Sequence, residues 1–355
     1  MSRLPWEHFL GVRSHSFVRG MVSDAQEVNP DDLVDMIAYR QEERVAACAG
    51  ADPIAVLVAY AQDHLLYRPD GRIFPAPSHE AYASAERHTR VNKFGLAYRA
   101  DAPMLLHRTL ADIVVGAAIH LYTTHGWATV LFDGLRTVDG AYLLYLQADD
   151  SDMTDGLLSL PGKSAHNKGM AVDSMMLDIR TGLEVEMGGH FDHLDMSTNG
   201  RRYAGVAITP EAKHNRRVRE AAFLRSAFAQ GLLIAPLRNE FWDDRLPENR
   251  EDLWRVMESA ARVIGLELLT DEDARLQRHE REAFVAKWES WSYQDFLDIW
   301  ATFFAGYEAQ LIAAIGTATP PPQEKAEFYH GNYHPIYDVA LRPVGKHLTY
   351  AAEAA

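Results

Sequence analysis

The sequence of 355 residues contains a single cysteine, Cys48. One cysteine cannot form an internal disulfide, and it excludes a zinc site built from several thiolates. No apolar run approaches the length of about 18 residues that a membrane-spanning helix needs. The chain also lacks an excess of positive charge. Its formal net charge of −15 argues against a nucleic-acid backbone or an anionic membrane as a partner.

The composition that remains is typical of a folded globular protein. Hydrophobic residues make up 47% of the chain and charged residues 24%, which is enough for a sizeable core. The length allows two domains, or one large domain with extensions. Residues 1–22 contain no apolar segment long enough for a signal peptide, so we expect a cytoplasmic protein.

Helical spacing dominates the first ninety-odd residues and the part of the chain beyond Arg245. The predicted helices of these two regions cover residues 33–49, 53–67, 251–265, 274–288 and 293–315, with a short helix from Ser78. None of them carries a recognisable chemical motif. We therefore interpret both regions as structural extensions, through which the chain could form a homo-oligomer.

The middle of the chain mixes helices with strands. Predicted helices cover residues 103–124 and 210–230, and predicted strands cover residues 128–132, 141–146, 170–179 and 184–187. The last two strands form a hairpin around a turn at Thr181 and Gly182. Strands flanked by helices, without a regular βα alternation, indicate an α+β fold with a small antiparallel or mixed sheet.

One stretch of this middle region, residues 164–173, contains two metal-binding side chains. His166 and Asp173 are separated by an odd number of residues, which puts side chains on opposite faces of a regular strand. They could converge only if the chain bends between them, and Gly169 permits a bend. Imidazole and carboxylate groups are both ordinary zinc ligands. The stretch can therefore supply two ligands of a metal site.

Three further pieces accompany this stretch in chain order: an Arg at the end of a strand, a Gly-Gly-His-Phe-Asp segment, and a Glu-Phe-Trp-Asp segment. Together the four pieces resemble the VanX-type D-alanyl-D-alanine dipeptidases, zinc enzymes that split a D,D-dipeptide in the cytoplasm. That family has Arg after a strand, then Ser-x-His-x-x-Gly-x-Ala-x-Asp, Met-Gly-x-x-Phe-Asp and Glu-x-x-His. The matching residues are Arg136, Ser164, His166, Gly169, Ala171, Asp173, Met187, Gly188, Phe191, Asp192 and Glu240.

The resemblance implies a fold and a division of the chain. It covers residues 96–245, which would form a metallopeptidase core of α+β class with a small sheet and flanking helices. Residues 1–95 and 246–355 would be helical extensions on either side.

The resemblance also implies the catalytic groups. His166 and Asp173 would be zinc ligands, and Glu240 would be the general base that moves a proton from a metal-activated water to the leaving amine. Arg136 would stabilise the oxyanion, because its guanidinium stays charged. Arg136 also lies three residues after Asp133, so a purely structural pair with that carboxylate is the alternative interpretation.

Two further residues would bind the substrate. Ser164 and Asp192 would hold the dipeptide, with Asp192 pairing its free ammonium group. Such a pairing would restrict the enzyme to dipeptides, because an internal peptide bond has no ammonium group beside it. Alternatively, Asp192 caps the turn that follows it.

The chain departs from the family at the third metal ligand, where Asp243 replaces the His of Glu-x-x-His. Ligation by one histidine and two aspartates would cancel the +2 charge of the ion and make a bound water less acidic. More oxygen ligands also favour Mn²⁺ or Fe²⁺ over zinc. His190 or His193 could fill the third position instead.

The leading interpretation is hydrolysis of a cell-wall dipeptide, D-alanyl-D-alanine or a close analogue, by a single divalent metal ion. A second interpretation keeps the fold and changes the substrate to another D-amino-acid dipeptide or an amide. A third is a non-catalytic descendant that binds a metal ion or a dipeptide. Glu240 argues against the third interpretation, since a pure binding site has no use for a base.

Overall fold

The computed structural model describes residues 30–56, 65–67, 73–75, 103–137, 141, 159, 164–189, 191, 209–237, 240–248, 250–266 and 293–318. The helices in this part of the chain are α1 (Gln41–Ala47), α2 (Arg108–His125), α3 (Pro210–Ala229), α4 (Arg250–Val263), α5 (Tyr293–Phe304) and α6 (Glu308–Ile315). The strands are β1 (Leu33–Asp35), β2 (Ile54–Val56), β3 (Leu65–Tyr67), β4 (Ile73–Pro75), β5 (Leu105–His107), β6 (Trp127–Asp133), β7 (Ala171–Asp178), β8 (Leu183–Glu184), β9 (Ala235–Pro236) and β10 (Asp243–Arg245).

The main sheet has the strand order β2-β6-β7-β10-β9, and β8 pairs with β7 on the side that β10 also occupies. The pairing of β2 with β6 is parallel, and the other pairings in this sheet are antiparallel. Two short ribbons, β1 with β5 and β3 with β4, lie outside it. This small mixed sheet with helices around it is compatible with the predicted α+β class.

The central strands are buried on both faces, and most of their residues are apolar. Residues 128–133 of β6 and residues 171–176 of β7 are buried throughout. Helix α2 covers part of this sheet with a buried apolar stripe and ends at Gly126, whose φ of 69° is the left-handed conformation typical of a helix C-terminus. Helix α3 packs against α2, and Gly116 permits the close approach because a Cβ there would overlap the Ser226 side chain.

Several local predictions are confirmed. The strand at residues 128–132, the hairpin after residue 170 and the helices beginning near residues 210 and 251 are all present. Thr209 caps α3 through its side chain, which accepts a hydrogen bond from the backbone N–H of Ala212 at 3.0 Å.

Other local predictions are wrong. The predicted helix over residues 33–49 begins as strand β1, and only Gln41–Ala47 is α-helical. The predicted helix over residues 53–67 contains strands β2 and β3, and the helix predicted from residue 103 is preceded by β5. Strands β1, β2 and β5 form because a distant segment offers backbone partners, which helical spacing within the segment cannot reveal, whereas β3 pairs with the nearby β4.

Four further predictions have mixed outcomes. Ala141 is helical where a strand over residues 141–146 was predicted, and residues 142–146 lie outside the described part. The helix predicted over residues 293–315 is divided by a 3₁₀ turn at Ala305–Tyr307. The helices predicted from Ser78 and over residues 274–288 lie outside the described residues.

The division at residues 95/96 and 245/246 stays a prediction. Strands β1 and β2, from the region predicted as an extension, pair with β5 and β6 of the predicted core. In the described part of the chain, no helix combines the length and the apolar character that crossing a membrane requires.

Candidate metal centre

Three aspartates, Asp133, Asp173 and Asp243, lie in a row across strands β6, β7 and β10. Asp173 is directly opposite Asp243 on one side and Asp133 on the other. Residues that face each other across antiparallel strands share a face of the sheet. The two pairings therefore bring three carboxylates to one face.

The position of Asp133 depends on a β-bulge. The regular register between β6 and β7 continues to Leu131 opposite Ser174, and would next place Phe132 opposite Asp173. The register shifts there, and Asp133 takes that place instead. One extra residue reverses the face to which the following side chain points. The bulge therefore places Asp133 on the face that carries Asp173.

Aromatic packing accompanies the bulge. The ring of Phe132 stacks on that of Phe191, with centroids 4.5 Å apart and ring planes at 10°. Phe191 in turn contacts Trp242 edge to face at 5.9 Å, directly before Asp243 in the chain. All three rings are buried. This apolar layer lowers the local dielectric, which strengthens the charge interactions of the neighbouring aspartates.

His166 reaches the aspartates from a 3₁₀ turn, Ala165–Lys168, that precedes β7. The turn ends at Gly169, whose φ of 67° bends the chain into the strand as predicted. The Nδ1 atom of His166 lies 2.9 Å from the carbonyl oxygen of Gly134. A carbonyl only accepts hydrogen bonds, so Nδ1 carries the proton and Nε2 of the neutral ring has the free lone pair.

The lone pair of His166 faces carboxylates at distances suited to a metal ion. Nε2 lies 3.7 Å from Oδ1 of Asp173 and 3.6 Å from Oδ2 of Asp243. Potential ligand atoms of Asp133, His166 and Asp173 all lie within 4.8 Å of one another. Two ligands at about 2.0–2.2 Å from a tetrahedral ion are about 3.3–3.6 Å apart. The two distances from Nε2 of His166, 3.6 and 3.7 Å, are close to that spacing and too long for good hydrogen bonds.

One oxygen of the cluster has no hydrogen bond. Oδ1 of Asp173, which faces Nε2 of His166, is buried and has no hydrogen-bond partner in the structure as described. A buried carboxylate oxygen without a partner is costly. A cation in the cluster would remove that cost, so the residues fit a metal ion.

The two flanking aspartates are each held by an arginine. Arg136 donates to Oδ2 of Asp133 from Nε at 3.1 Å and also from Nη2. Arg245 donates to Oδ1 of Asp243 from Nε at 3.1 Å and to Oδ2 from Nη2. The pairing of Arg136 with Asp133, the alternative interpretation of that arginine, is therefore present. Arg136 is also next to His166, because the backbone N–H of Arg136 donates to the His166 carbonyl at 3.0 Å.

Glu240 lies in the turn that leads into β10. Its backbone carbonyl accepts from the N–H of Asp243 at 2.9 Å, so the residues predicted as base and third ligand belong to one turn. Glu240 is half-buried, and its charge contributes to raising the pKa of Asp173. The charge of Glu240 therefore acts on the cluster.

With His166 neutral and every carboxylate ionised, the charges of the cluster add up to −2, from four carboxylates and two guanidiniums. The carboxylates are Asp133, Asp173, Glu240 and Asp243, and the guanidiniums are Arg136 and Arg245. One divalent cation would neutralise this total.

Without a cation, the negative charge changes the proton affinities. Burial by itself would lower the pKa of His166, but the charge of Asp173 and the contact with Asp243 raise it to about 9. Burial raises the pKa of Asp173 well above its ordinary value, although His166 opposes this change. Burial would also raise the pKa of Asp243, but Arg245 and His166 hold it well below its usual range.

Metal binding is expected to tighten with rising pH up to about pH 9. A neutral imidazole binds a metal ion, whereas the pKa of about 9 leaves His166 protonated at neutral pH. If one proton leaves per ion bound, the affinity should rise about tenfold for each pH unit in that range. Calorimetric titration in two buffers of different ionisation enthalpy measures the released proton. Binding at neutral pH without proton release would contradict the prediction.

Gly134→Ala is expected to weaken both the fold and the metal centre. A Cβ at Gly134 would lie 2.7 Å from the carbonyl oxygen of Leu105 and 2.8 Å from Sδ of Met104, so the loop must shift. We expect a loss of about 1–3 kcal/mol in unfolding free energy. We also expect weaker metal binding, because the Gly134 carbonyl orients His166. Thermal unfolding and metal titration measure the two effects.

Gly306→Ala is the matched control, because a Cβ at Gly306 would meet no atom within 4 Å. It should change neither property. Equal effects of the two substitutions would show that the close contact at Gly134 is unimportant.

The remaining predicted site residues divide into two groups. Ser164 is buried, and its hydroxyl accepts from the backbone N–H of His166 at 3.2 Å, so it caps the turn that carries the imidazole. Asp192, His190 and His193 lie outside the described residues. Their predicted roles stay predictions.

Asp133 was missed as a candidate ligand by the sequence reasoning. The available signal was an aspartate directly after a buried apolar strand and before a glycine. The sequence alone does not indicate that Asp133 lies beside Asp173, because a regular register would place Phe132 there and the bulge is not visible in the sequence.

Comparison with known proteins adds no assignment. No protein-family model matches the chain, and no curated protein matches it by sequence. The likeness to the D,D-dipeptidases therefore depends on the motif residues and their spacing.

Proposed function

We propose that this chain is a metal-dependent hydrolase of small dipeptides, with D-alanyl-D-alanine as the leading substrate. The observation that carries the proposal is the buried pair of His166 and Asp173. Their facing atoms lie 3.7 Å apart, and the carboxylate oxygen has no hydrogen-bond partner among the described residues. Two observations support the other groups that amide hydrolysis needs: the charge of Glu240 acts on Asp173, and the backbone N–H of Arg136 donates to the His166 carbonyl at 3.0 Å.

His166 and Asp173 would hold the ion together with one of the flanking carboxylates, Asp133 or Asp243. A divalent ion there would supply Lewis-acid chemistry, by lowering the pKa of a water ligand and polarising a carbonyl group. Zinc accepts such ligands, and the oxygen-rich set also suits Mn²⁺ or Fe²⁺.

The protein groups would supply proton transfer and charge stabilisation. The Glu240 carboxylate would accept a proton from the attacking water and deliver it to the nitrogen of the leaving amine. The Arg136 guanidinium would stabilise the negative charge that develops on the carbonyl oxygen. The Arg136 guanidinium pairs with Asp133 of the cluster, and from there it would meet a small ligand bound to the ion. Asp192 would pair with the substrate ammonium group.

The first experiment combines elemental analysis of the purified protein with an assay for alanine release from D-alanyl-D-alanine. One metal ion per chain and metal-dependent release are expected. Metal binding without release would shift the proposal to another D-amino-acid dipeptide or an amide, which a substrate screen would test. Absence of both metal and release would contradict the proposal.

The variants Asp133→Asn and Asp243→Asn distinguish the two flanking carboxylates. Replacing the true third ligand should sharply lower the metal content, whereas replacing the other carboxylate should have a smaller effect. If neither variant changes the metal content, both carboxylates are excluded as ligands.

A second function is favoured by the arginine beside Asp243. Both carboxylate oxygens of Asp243 accept hydrogen bonds from Arg245. Because Arg245 already neutralises the position that the resemblance gives to the third ligand, metal binding there would be weaker. The chain would then act as a non-catalytic binder of a metal ion or a dipeptide. Dipeptide binding without hydrolysis, measured by calorimetry, would support this second function.

A further inference from the structure

The reverse side of the sheet, directly behind Asp173 and Asp243, carries a buried arginine. Successive residues of a strand point to opposite faces, so Ser174 and Asp244 point away from the metal centre. Arg219 of helix α3 meets them there. Its Nη2 atom donates to Oγ of Ser174 at 2.9 Å and also to Oδ2 of Asp244. Arg219 is only 1% exposed.

The same atom of Arg219 also binds the backbone between the two strands. Nη2 donates to the carbonyl oxygen of Trp242 at 2.9 Å. That carbonyl accepts the backbone N–H of Ser174 at 2.9 Å as well. Arg219 therefore contacts one residue next to Asp173 and both residues next to Asp243.

Strand β10 is short, and two backbone hydrogen bonds continue its ladders: Leu246 N–H donates to the Met170 carbonyl at 2.9 Å, and Leu237 N–H donates to the Asp243 carbonyl at 2.8 Å. Its ladder with β7 involves only Asp243–Arg245, and its ladder with β9 only two residue pairs. A slip by one residue would carry Asp243 to the other face, away from His166. A side chain that binds both β7 and the start of β10 opposes such a slip.

Two neighbouring residues of α3 bind a third segment, the one that contains Glu186 and Met187 and leads toward Asp192. Asn215 donates to the carbonyl of Glu186 at 2.8 Å, and Arg216 donates to that of Met187 at 2.6 Å. Arg216 also lies over the ring of Phe241, 4.2 Å from its centroid. One helix thus contacts the segments that carry or adjoin Asp173, Asp243 and Glu240, and the segment that leads toward Asp192.

We propose that Arg219 is a positioning residue of the metal centre, which sets the spacing between Asp173 and Asp243 from the opposite face of the sheet. This role rests on the proposed function in one respect, since it requires a metal ion at the cluster. A purely structural arginine would affect stability alone. A positioning residue also affects the affinity and geometry of the metal site.

The test is a titration of the purified full-length protein with Co²⁺, whose visible absorption reports coordination geometry. Arg219→Gln is expected to weaken Co²⁺ binding about tenfold or more and to change the spectrum. Arg219→Lys should restore part of the affinity, because an ammonium group keeps the charge and three N–H donors.

Arg44→Gln is the matched control for loss of a buried arginine. Arg44 is also 1% exposed and pairs with Asp52, and its other hydrogen bonds go to carbonyls of residues 36–39. It should lower the melting temperature and leave Co²⁺ affinity within about twofold of the parent, since it contacts no part of the centre. If Arg219→Gln does not fold, the double variant Arg219→Gln with Asp244→Asn avoids an unpaired buried carboxylate and takes its place.

The outcomes separate the two proposals. Parental Co²⁺ affinity and spectrum in Arg219→Gln, or in the double variant used in its place, would overturn the positioning role and leave the metal centre intact. Equal weakening by Arg44→Gln would overturn it too, because the effect would then follow general stability. Absence of Co²⁺ binding by the parent protein would overturn the proposed function, and the positioning role with it.

Discussion

Asp173→Asn is expected to abolish stoichiometric metal binding without destabilising the metal-free protein. An amide oxygen is a poor substitute for a carboxylate ligand. Residues that only orient metal ligands typically contribute about 10–100-fold to metal affinity, so loss of a ligand should cost more than about 100-fold. Elemental analysis and metal titration measure this change.

Although Asp173→Asn should lose metal affinity, the metal-free variant should not lose stability. Burial and neighbouring carboxylates raise the pKa of Asp173, so its ionised form opposes folding when no cation is present. Asparagine resembles the protonated form and removes that cost. The melting temperature of the metal-free variant should therefore equal or exceed that of the parent. Such a trade of stability for binding is typical of a functional site.

Asp178→Asn is the control on the same strand. Asp178 lies at the far end of β7, is partly exposed and accepts hydrogen bonds from the turn at Arg180 and Thr181. It should leave metal binding unchanged. Parental metal affinity in Asp173→Asn would exclude that residue as a ligand. A marked loss of stability in the metal-free variant would instead indicate a structural role.

Glu240→Gln is expected to lower kcat about 10²–10⁴-fold while metal binding is retained. Glutamine has nearly the same shape as glutamate, but it cannot take a proton from water or deliver one to the leaving amine. The charge of Glu240 is close enough to affect the pKa of Asp173, so the metal affinity should change modestly. Release of alanine from D-alanyl-D-alanine is the readout, with metal content measured on the same samples.

Glu211→Gln is the control for the loss of one carboxylate. Glu211 is exposed in the first turn of α3, and its replacement should leave turnover unchanged. A folded, metal-loaded Glu240→Gln protein with parental turnover would exclude Glu240 as the base. Loss of metal together with activity would indicate that Glu240 is a ligand rather than a base.

Local chemistry explains which features were predictable from the sequence. The bend at Gly169 follows from the freedom of glycine to adopt positive φ, and it brings His166 and Asp173 together. The start of α3 follows from a capping Thr209 followed by proline, and the end of α2 from Gly126. Each of these signals is contained in a few consecutive residues.

Strand pairing explains what the sequence could not show. Strands β1 and β2 lie in segments with helical spacing, and they are strands because β5 and β6 supply their backbone partners. Their partners lie 70 or more residues further along the chain. No pattern within the segments themselves contains that information.

The candidate site shows the same division between local and long-range causes. His166, Asp173 and Glu240 were recognisable from motif and spacing, because those residue types carry metal and proton chemistry. Asp133 joins them only through a bulge that shifts the register between β6 and β7 by one residue.

The arginines of the site also depend on the tertiary structure. Arg245 holds Asp243 from the same short strand, and Arg219 holds that strand from the opposite face of the sheet. The sequence by itself thus pointed to His166, Asp173 and Glu240 as residue types with metal and proton chemistry. The pairing of distant strands decided which of them share a face, because one residue of register moves a side chain from one face to the other.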